Sequence, residues 1–343
     1  MICLLKTNRD IDQYMLAKIE RTEAIIRHVS YCFRCIIVET NSPERLEVCN
    51  FIDIIEPDEK YDLQNIMIRT IPNIRLNKLI ASNYMGSQSV VAVIDSGMDN
   101  IDGLVIFKEE VFSNSLGPYD SQVKIDGRPH GTAVGCIIKY LAPWGKLYNL
   151  KVMSDGGDIF KWSIVKALEY CYENNIKIIN ISLGKEKQCD SKCIVCNIVN
   201  QMADEGFVIV AAIGNYGNKG AGYTGCPGNS EKAFTVGAVD MAKQQLAGYS
   251  SRSAAGSKKP DILAPGHIEI NSLSAVEGTS FASPVIAGII ASVSGQFDKF
   301  LIVDNIKKTA HNLGLTFNEQ GHGLVHVENF LEVLRHEKRI SQG

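Results

Sequence analysis

Apolar residues follow two rhythms along this chain. From residue 90 onward, short runs of β-branched and aliphatic residues alternate with longer stretches where small and apolar residues recur every three or four positions. The runs are Val91–Ile94, Lys146–Val152, Ile176–Ile181, Val208–Ile213 and Ala233–Val239. Most are apolar at consecutive positions, the pattern of strands buried on both faces. Residues 131–140, 160–174 and 190–205 have helical spacing. The alternation predicts an α/β fold of three layers: a mostly parallel central sheet, right-handed crossovers and helices on both faces. Asp261–Gly266 adds a later strand-to-turn segment.

The first 65 residues read differently. Ile2–Lys6 and Phe51–Ile55 are short strands and Tyr31–Glu39 a longer one. Asp10–His28 has helical spacing, with Ile11, Met15, Ile19 and Ile26 apolar. Ser42 and Pro43 open another helix, with Pro at its first position. This βαβαβ order suits a small α+β module over residues 1–65. Residues 66–80 then form a linker, 81–334 the large domain, and 335–343 a polar tail that frays.

Composition narrows the function classes. A chain of 343 residues holds one large α/β domain plus a small one. A net charge of −3 gives no support for nucleic-acid or membrane partners. No apolar run reaches the length of a membrane span. Met1–Lys6 is too short for a signal-peptide core and is interrupted by Asn8, Arg9 and Asp10. The expected location is the cytoplasm, with secretion by an unconventional route as the alternative.

Ten cysteines are many for such a chain. Cys136 and Cys171 fall in apolar helical stretches and read as buried thiols. Cys32 and Cys35 lie in a strand-like run, so their side chains point to opposite faces, against a redox pair or shared metal. Cys189, Cys193 and Cys196 are spaced i, i+4, i+7, one face of a helix.

Three segments carry candidate chemistry. Asp95 ends the Val91–Ile94 run, at the carboxyl edge of the sheet, and Ser96-Gly97 permits a turn there. His130 opens the helical segment Thr132–Tyr140. Ser280 precedes a small-residue helix from Ala282 to Val293, with Pro284 in its first turn. A serine hydroxyl needs a base to take its proton, and the imidazole needs a carboxylate to fix its tautomer. At a helix N-terminus Ser280 would meet backbone N–H groups that favour a developing oxyanion. A fourth segment, Phe207–Ile213, runs into Gly214-Asn215, whose amide can donate to that oxyanion. The remaining histidines (His28, His267, His311, His322, His326, His336) lack such a context and read as structural or solvated.

These segments resemble those of the subtilisin-like serine peptidases, or subtilases. The likeness covers most of residues 70–330. It rests on Asp95-Ser-Gly, His130-Gly-Thr, Asn180-Ile-Ser182-Leu183-Gly184, Ala212-Ile-Gly214-Asn215, Gly278-Thr-Ser280 and Gly321–Val325. It implies Asp95, His130 and Ser280 as triad and Asn215 as oxyanion donor. It also implies a substrate cleft between Ser182-Leu183-Gly184 and a second edge strand around Gly156, Gly157, Asp158 and Ile159, binding an extended peptide by β-augmentation. Gly214 lines that cleft. Gly225 would leave the primary specificity pocket open to a large residue, and Asp158 would favour a basic residue further upstream in the substrate.

The resemblance implies more. The helix bearing Cys189, Cys193 and Cys196 lies near Cys226 in the family's fold, so four thiols would converge beside the pocket. Structural zinc or disulfides would suit them; reduced packing cysteines are the default in a cytosolic protein. No organic cofactor is required. Asp99 and Asp102 do not make a calcium loop by themselves. Residues 1–65 resemble a propeptide, ending in Ile55-Glu-Pro-Asp58, that inhibits its own peptidase and is cut off near Gln64–Asn65. The alternative is an accessory domain that is never removed. The expected function is a serine endopeptidase made as a zymogen, either a dedicated precursor-processing protease or a general degrader. The rival is a non-catalytic binding or regulatory protein with the module permanently in the cleft.

Overall fold

The computed structural model describes residues 1–58, 60–61, 78–79, 82–98, 104–112, 129–154, 157–185, 189, 191–270 and 273–342. Asp99, Asp102, Gly156, the Gln64–Asn65 bond and nearly all of the 66–80 linker lie outside the described residues.

The N-terminal module is a four-stranded antiparallel sheet. Its strands are β1 (Ile2–Thr7), β2 (Ile25–Ser30), β3 (Cys35–Glu39) and β4 (Ile52–Pro57), in the order β2-β3-β1-β4. Helix α1 (Gln13–Glu20) follows β1, capped by Asp12, whose carboxylate accepts from Met15 N. The helix expected over Asp10–His28 is therefore split. Glu23 takes a positive φ of 67° and turns the chain, and the β-branched run after it joins the sheet as β2. Tyr31–Arg34 is a hairpin turn rather than strand, with Arg34 at φ 49°. Cys32 and Cys35 thus sit on a turn and a strand start. The segment at Pro43–Val48 is a 3-10 turn.

One face of this sheet, with Leu5, Ile36 and Val38, packs on Met15 and Ile19 of α1. Leu4, Cys35 and Ile37, together with Phe33 of the turn, join the core of the large domain instead. Strand β5 (Lys60–Tyr61) continues from the module.

The large domain has the three expected layers. Its sheet comprises β6 (Val90–Asp95), β7 (Lys108–Val111), β8 (Lys146–Lys151), β10 (Ile178–Ile181), β11 (Val208–Ala212), β12 (Phe234–Asp240), β13 (Gln245–Leu246) and β14 (Ile262–Pro265). The order is β13-β12-β11-β10-β6-β8-β7, with β14 also on β12, and every pairing is parallel except that of β13. A short strand β9 (Ile159–Phe160) stands outside it and pairs with β5.

Strand alternation explains why the apolar runs are continuous. Val91 and Val93 face helices α2 (Pro129–Leu141) and α5 (Thr279–Val293). Ala92 and Ile94 face α3 (Lys161–Glu173) and α4 (Ile194–Asp204) on the other side. The module's sheet rests on α3 and α4, so its apolar face and theirs form one core. No helix among the described residues is long and apolar enough to cross a membrane.

Candidate active site

Asp95 is the last residue of β6, at the carboxyl edge of the sheet, and is fully buried. Its Oδ1 accepts from Ser96 N at 2.7 Å and lies 2.6 Å from His130 Nδ1. Ser96 Oγ accepts from Gly131 N at 3.2 Å, tying the turn after β6 to the first turn of α2. Gly131 is what lets that helix come so close: a Cβ there would stand 2.0 Å from Gly97 O.

Ser280 lies within the first turn of α5, which begins at Thr279 rather than at Ala282. Pro284 is accordingly more than one turn in, and its missing N–H leaves the Ser280 carbonyl without its helical donor. Phe281, next in the chain, holds its ring 5.2 Å from the His130 imidazole. His130 and Ser280 are both inaccessible to solvent. Asp95 Oδ2, His130 Nε2 and Ser280 Oγ have no hydrogen-bond partner among the described residues. Unpartnered buried polar atoms are costly, so three of them on these residues ask for a role.

Asn215 follows Gly214, which has a φ of 116° just beyond β11. The Asn215 Oδ1 accepts from Thr279 N at 2.9 Å and from Thr279 Oγ1 at 2.8 Å. Its amide nitrogen is thereby turned to the side of Gly278, directly ahead of the turn that bears Ser280. Thr279 was not singled out by sequence reasoning; only its place before Ser280 hinted at it.

Ser182 is buried, its Oγ accepting from Asn180 Nδ2 at 2.7 Å and lying 3.0 Å from Ser283 Oγ of α5. This fixes Ser182-Leu183-Gly184 against the helix that bears Ser280. Immediately after it, Lys185 and Cys226 exchange backbone hydrogen bonds of 3.0 and 3.2 Å as an isolated bridge, which brings Gly225 alongside. Gly225 N donates to Ile213 O at 2.7 Å.

The expected second edge strand is partly a tight turn. Ser154 N donates to Asp158 O at 2.8 Å, Gly157 N to Ser154 O at 2.9 Å, and Asp158 N to Ser154 Oγ at 3.1 Å. The extended portion is Ile159–Phe160, and β5 already occupies its outer edge, with Tyr61 opposite Ile159.

Two carboxylates at the end of β4 seal the contact between module and large domain. Glu56 Oε1 accepts from Ile194 N at 3.2 Å, at the start of α4, and its Oε2 meets Lys161 Nζ at 2.7 Å. Asp58 Oδ1 accepts from Trp162 N at 3.4 Å, in the first turn of α3, which has no side-chain cap of its own. Negative groups at helix N-termini are favourable. Burial nevertheless pushes the Asp58 carboxyl up to about 7, against the lowering effect of the Trp162 and Lys161 amides and the Lys161 charge. His28 Nε2 lies 2.6 Å from Glu169 Oε2 across the same interface.

The arrangement holds an imidazole by one nitrogen against a buried carboxylate and places a serine in the first turn of a helix. That is the equipment of acyl transfer.

Comparison with known proteins points to one family. The model of the subtilase family matches residues 86–323. Subtilisin of Bacillus pumilus is 33% identical over 284 residues, spanning 75% of this chain and 96% of that one. M-protease of Shouchella clausii (strain KSM-K16) is 30% identical over 342 residues, 92% of this chain and 84% of its own, an extent that takes in part of the N-terminal module. Fervidolysin from Fervidobacterium pennivorans, a keratinolytic enzyme related to subtilisin, superposes with a TM-score of 0.79 at 17% identity over 96% of this chain. This chain spans 60% of the fervidolysin chain, and the likeness is one of fold.

Proposed function

This chain belongs to the subtilase family and is a serine endopeptidase, and from that premise we propose that Asp95, His130 and Ser280 are its triad and that it is made as a self-inhibited zymogen. Ser280 Oγ attacks the scissile carbonyl while His130 Nε2 takes its proton. The C–N bond breaks as His130 returns that proton to the leaving amine, and water then releases the acyl group by the same route in reverse. Asp95 holds His130 through Nδ1 and stabilises the imidazolium. Asn215 Nδ2 and the Ser280 N–H receive the oxyanion. The 2.6 Å contact between Asp95 and His130, beside an unpartnered Nε2 and Ser280 Oγ, carries this reading.

The peptide substrate lies extended between Ser182-Leu183-Gly184 and the Gly157–Ile159 edge, with Gly214 and Gly225 lining the primary pocket and Asp158 facing upstream residues. Residues 1–65 act as the intramolecular inhibitor. Support comes from β5 on the Ile159–Phe160 edge, from Glu56 and Asp58 on two helix N-termini, and from the inaccessibility of Ser280 and His130 in the full chain. Cleavage falls near Gln64–Asn65, a few residues past Tyr61. No organic cofactor takes part.

Intact-mass spectrometry of wild type beside Ser280→Ala tests this. Loss of roughly the first 60–75 residues in wild type alone supports a self-cleaving zymogen. Full-length mass in both overturns self-cleavage. Failure to react with a fluorophosphonate, even after limited proteolysis, overturns the triad.

The continuous apolar contact of Phe33, Leu4 and Ile37 with α3 and α4 favours a second reading, in which the module is a permanent accessory domain that is never cut off. A precursor peptide cut at one site, against casein cut at many, separates dedicated processing from general degradation.

A further inference from the structure

Four thiols outside the active centre converge on one point. Cys189, Cys193, Cys196 and Cys226 come from two stretches of chain, and their sulfurs all lie within 4.8 Å of one another. Cys189 and Cys196 are 3.4 Å apart, Cys193 and Cys226 3.3 Å, Cys196 and Cys226 3.4 Å. Cys193, Cys196 and Cys226 are buried and Cys189 half-buried, and all four are free thiols.

The convergence does not arise from one helix face. Helix α4 starts at Ile194, so only Cys196 belongs to it, while Cys193 is its N-cap and Cys189 lies in the preceding loop. Chain from outside the helix has been brought to meet Cys196 and Cys226. Sulfurs at about 2.3 Å from a tetrahedral ion stand about 3.8 Å apart, so the observed contacts need to open by only a few tenths of an ångström.

Polar groups already reach the sulfurs. Cys193 Sγ accepts from Cys196 N at 3.5 Å, at a helix N-terminus where negative charge is favoured. The Asn229 amide nitrogen donates to Cys189 Sγ at 3.4 Å, and its Oδ1 lies 3.5 Å from Cys196 Sγ. Such outer hydrogen bonds orient metal ligands and offset their charge. The donor set is sulfur only, in a C-x3-C-x2-C order plus one distant cysteine. That softness suits zinc, as it does other thiophilic metals such as iron or copper(I), and excludes calcium or magnesium.

We propose that Cys189, Cys193, Cys196 and Cys226 bind a structural zinc ion that clamps the primary specificity pocket to the start of α4. Cys226 follows Gly225 and is paired with Lys185, next to Ser182-Leu183-Gly184. Cys193 precedes Ile194, whose amide receives Glu56 of the module. The ion thus joins a pocket wall, the pocket floor and a docking point of the N-terminal module. The metal site stands without the catalytic reading; only its effect on the pocket rests on it.

The test is elemental analysis of full-length protein purified without chelators from zinc-supplied cells. About one zinc per chain is expected, falling to background in Cys193→Ser and Cys226→Ser. Because cysteine variants can misfold, wild type is also stripped of metal and titrated with Co²⁺. Intense sulfur-to-cobalt charge-transfer bands and tetrahedral d–d absorption, saturating at about one equivalent, support the site. The proposal is overturned by metal below about a tenth of an equivalent with no cobalt spectrum, by iron in place of zinc, or by an intact mass about 4 Da low from two disulfides.

Discussion

Asn215 gives its amide oxygen to Thr279 twice, at 2.9 Å from the backbone nitrogen and 2.8 Å from Oγ1. Thr279 Oγ1 in turn accepts from Gly214 N at 3.2 Å. The residue before Ser280 therefore decides which way the Asn215 amide is turned. Replacing Asn215 by Leu is expected to lower kcat by roughly 10²–10³ with little change in KM. Thr279→Val removes one of the two bonds that orient the amide and is expected to cost about tenfold in kcat, with Thr279→Ser restoring it. Steady-state kinetics on a peptide amide substrate, with thermal melting as a folding control, checks both. An unchanged kcat in Asn215→Leu would remove that residue from the site.

Gly131 stands where the turn after β6 meets α2. A Cβ at this position would lie 2.0 Å from the Gly97 carbonyl oxygen and 3.2 Å from Asp95 Oδ1. The contacted atoms are backbone and a buried carboxylate, neither able to give way cheaply. Gly131→Ala should cost more than about 3 kcal/mol of stability and abolish turnover together. Chemical denaturation and activity measured on the same preparation would show it. A stable, active variant would mean that α2 and the Asp95 turn are not locked as described.

Much of this was legible in the sequence because buried parallel strands need apolar residues on both faces. Val91–Ile94 and Val208–Ile213 announced themselves, and with them the sheet edge where Asp95 and Asn215 stand. The N-terminal module was harder to read. Its strands expose one face only in part, and the turn at Glu23 uses an ordinary residue at positive φ, so the start of β2 looked like more helix. Ser280 was found by its motif, yet the helix start was misplaced, since Gly278-Thr-Ser carries no helical periodicity and Pro284 suggested a later beginning. Glu56 and Asp58 are legible only as the end of a propeptide-like module, without their contacts. Their partners, Ile194, Lys161 and Trp162, lie more than a hundred residues away, and local pattern cannot reveal such contacts.

Glu56 bridges the module to two elements at once, Ile194 N and Lys161 Nζ. Glu56→Gln keeps the shape but removes the charge that both partners favour, and Lys161 is 5% exposed. An anion at a helix N-terminus contributes about 0.3–2 kcal/mol, and a buried ammonium that loses its carboxylate adds to the loss. Fluorophosphonate labelling of Ser280 in the full-length chain should accelerate about 3–30-fold as the module lifts more often. Labelling at the wild-type rate would show that the apolar contact around Phe33 holds the module without help from these charges.

Docking should also weaken as pH rises. Burial raises the Asp58 carboxyl from its ordinary 3.8 to about 7 in the docked chain. Between those two values the docked form keeps a proton that the released form has lost. Docking is thus strongest near pH 4, weakens progressively as pH rises, and reaches its floor above about pH 7. Glu56, Lys161 and the His28–Glu169 pair face the same interface, so His28→Gln belongs in the background to remove the imidazole. Trp162, buried and one hydrogen bond from Asp58, is the reporter, with the exposed Trp144 replaced by Phe and Ser280 by Ala to keep the chain intact. Urea titration followed by Trp162 fluorescence should give a release midpoint that falls from pH 5 to pH 7 and then levels. Asp58→Asn should flatten that dependence. A midpoint that rises with pH, or a slope that survives Asp58→Asn, would assign the pH response to another group.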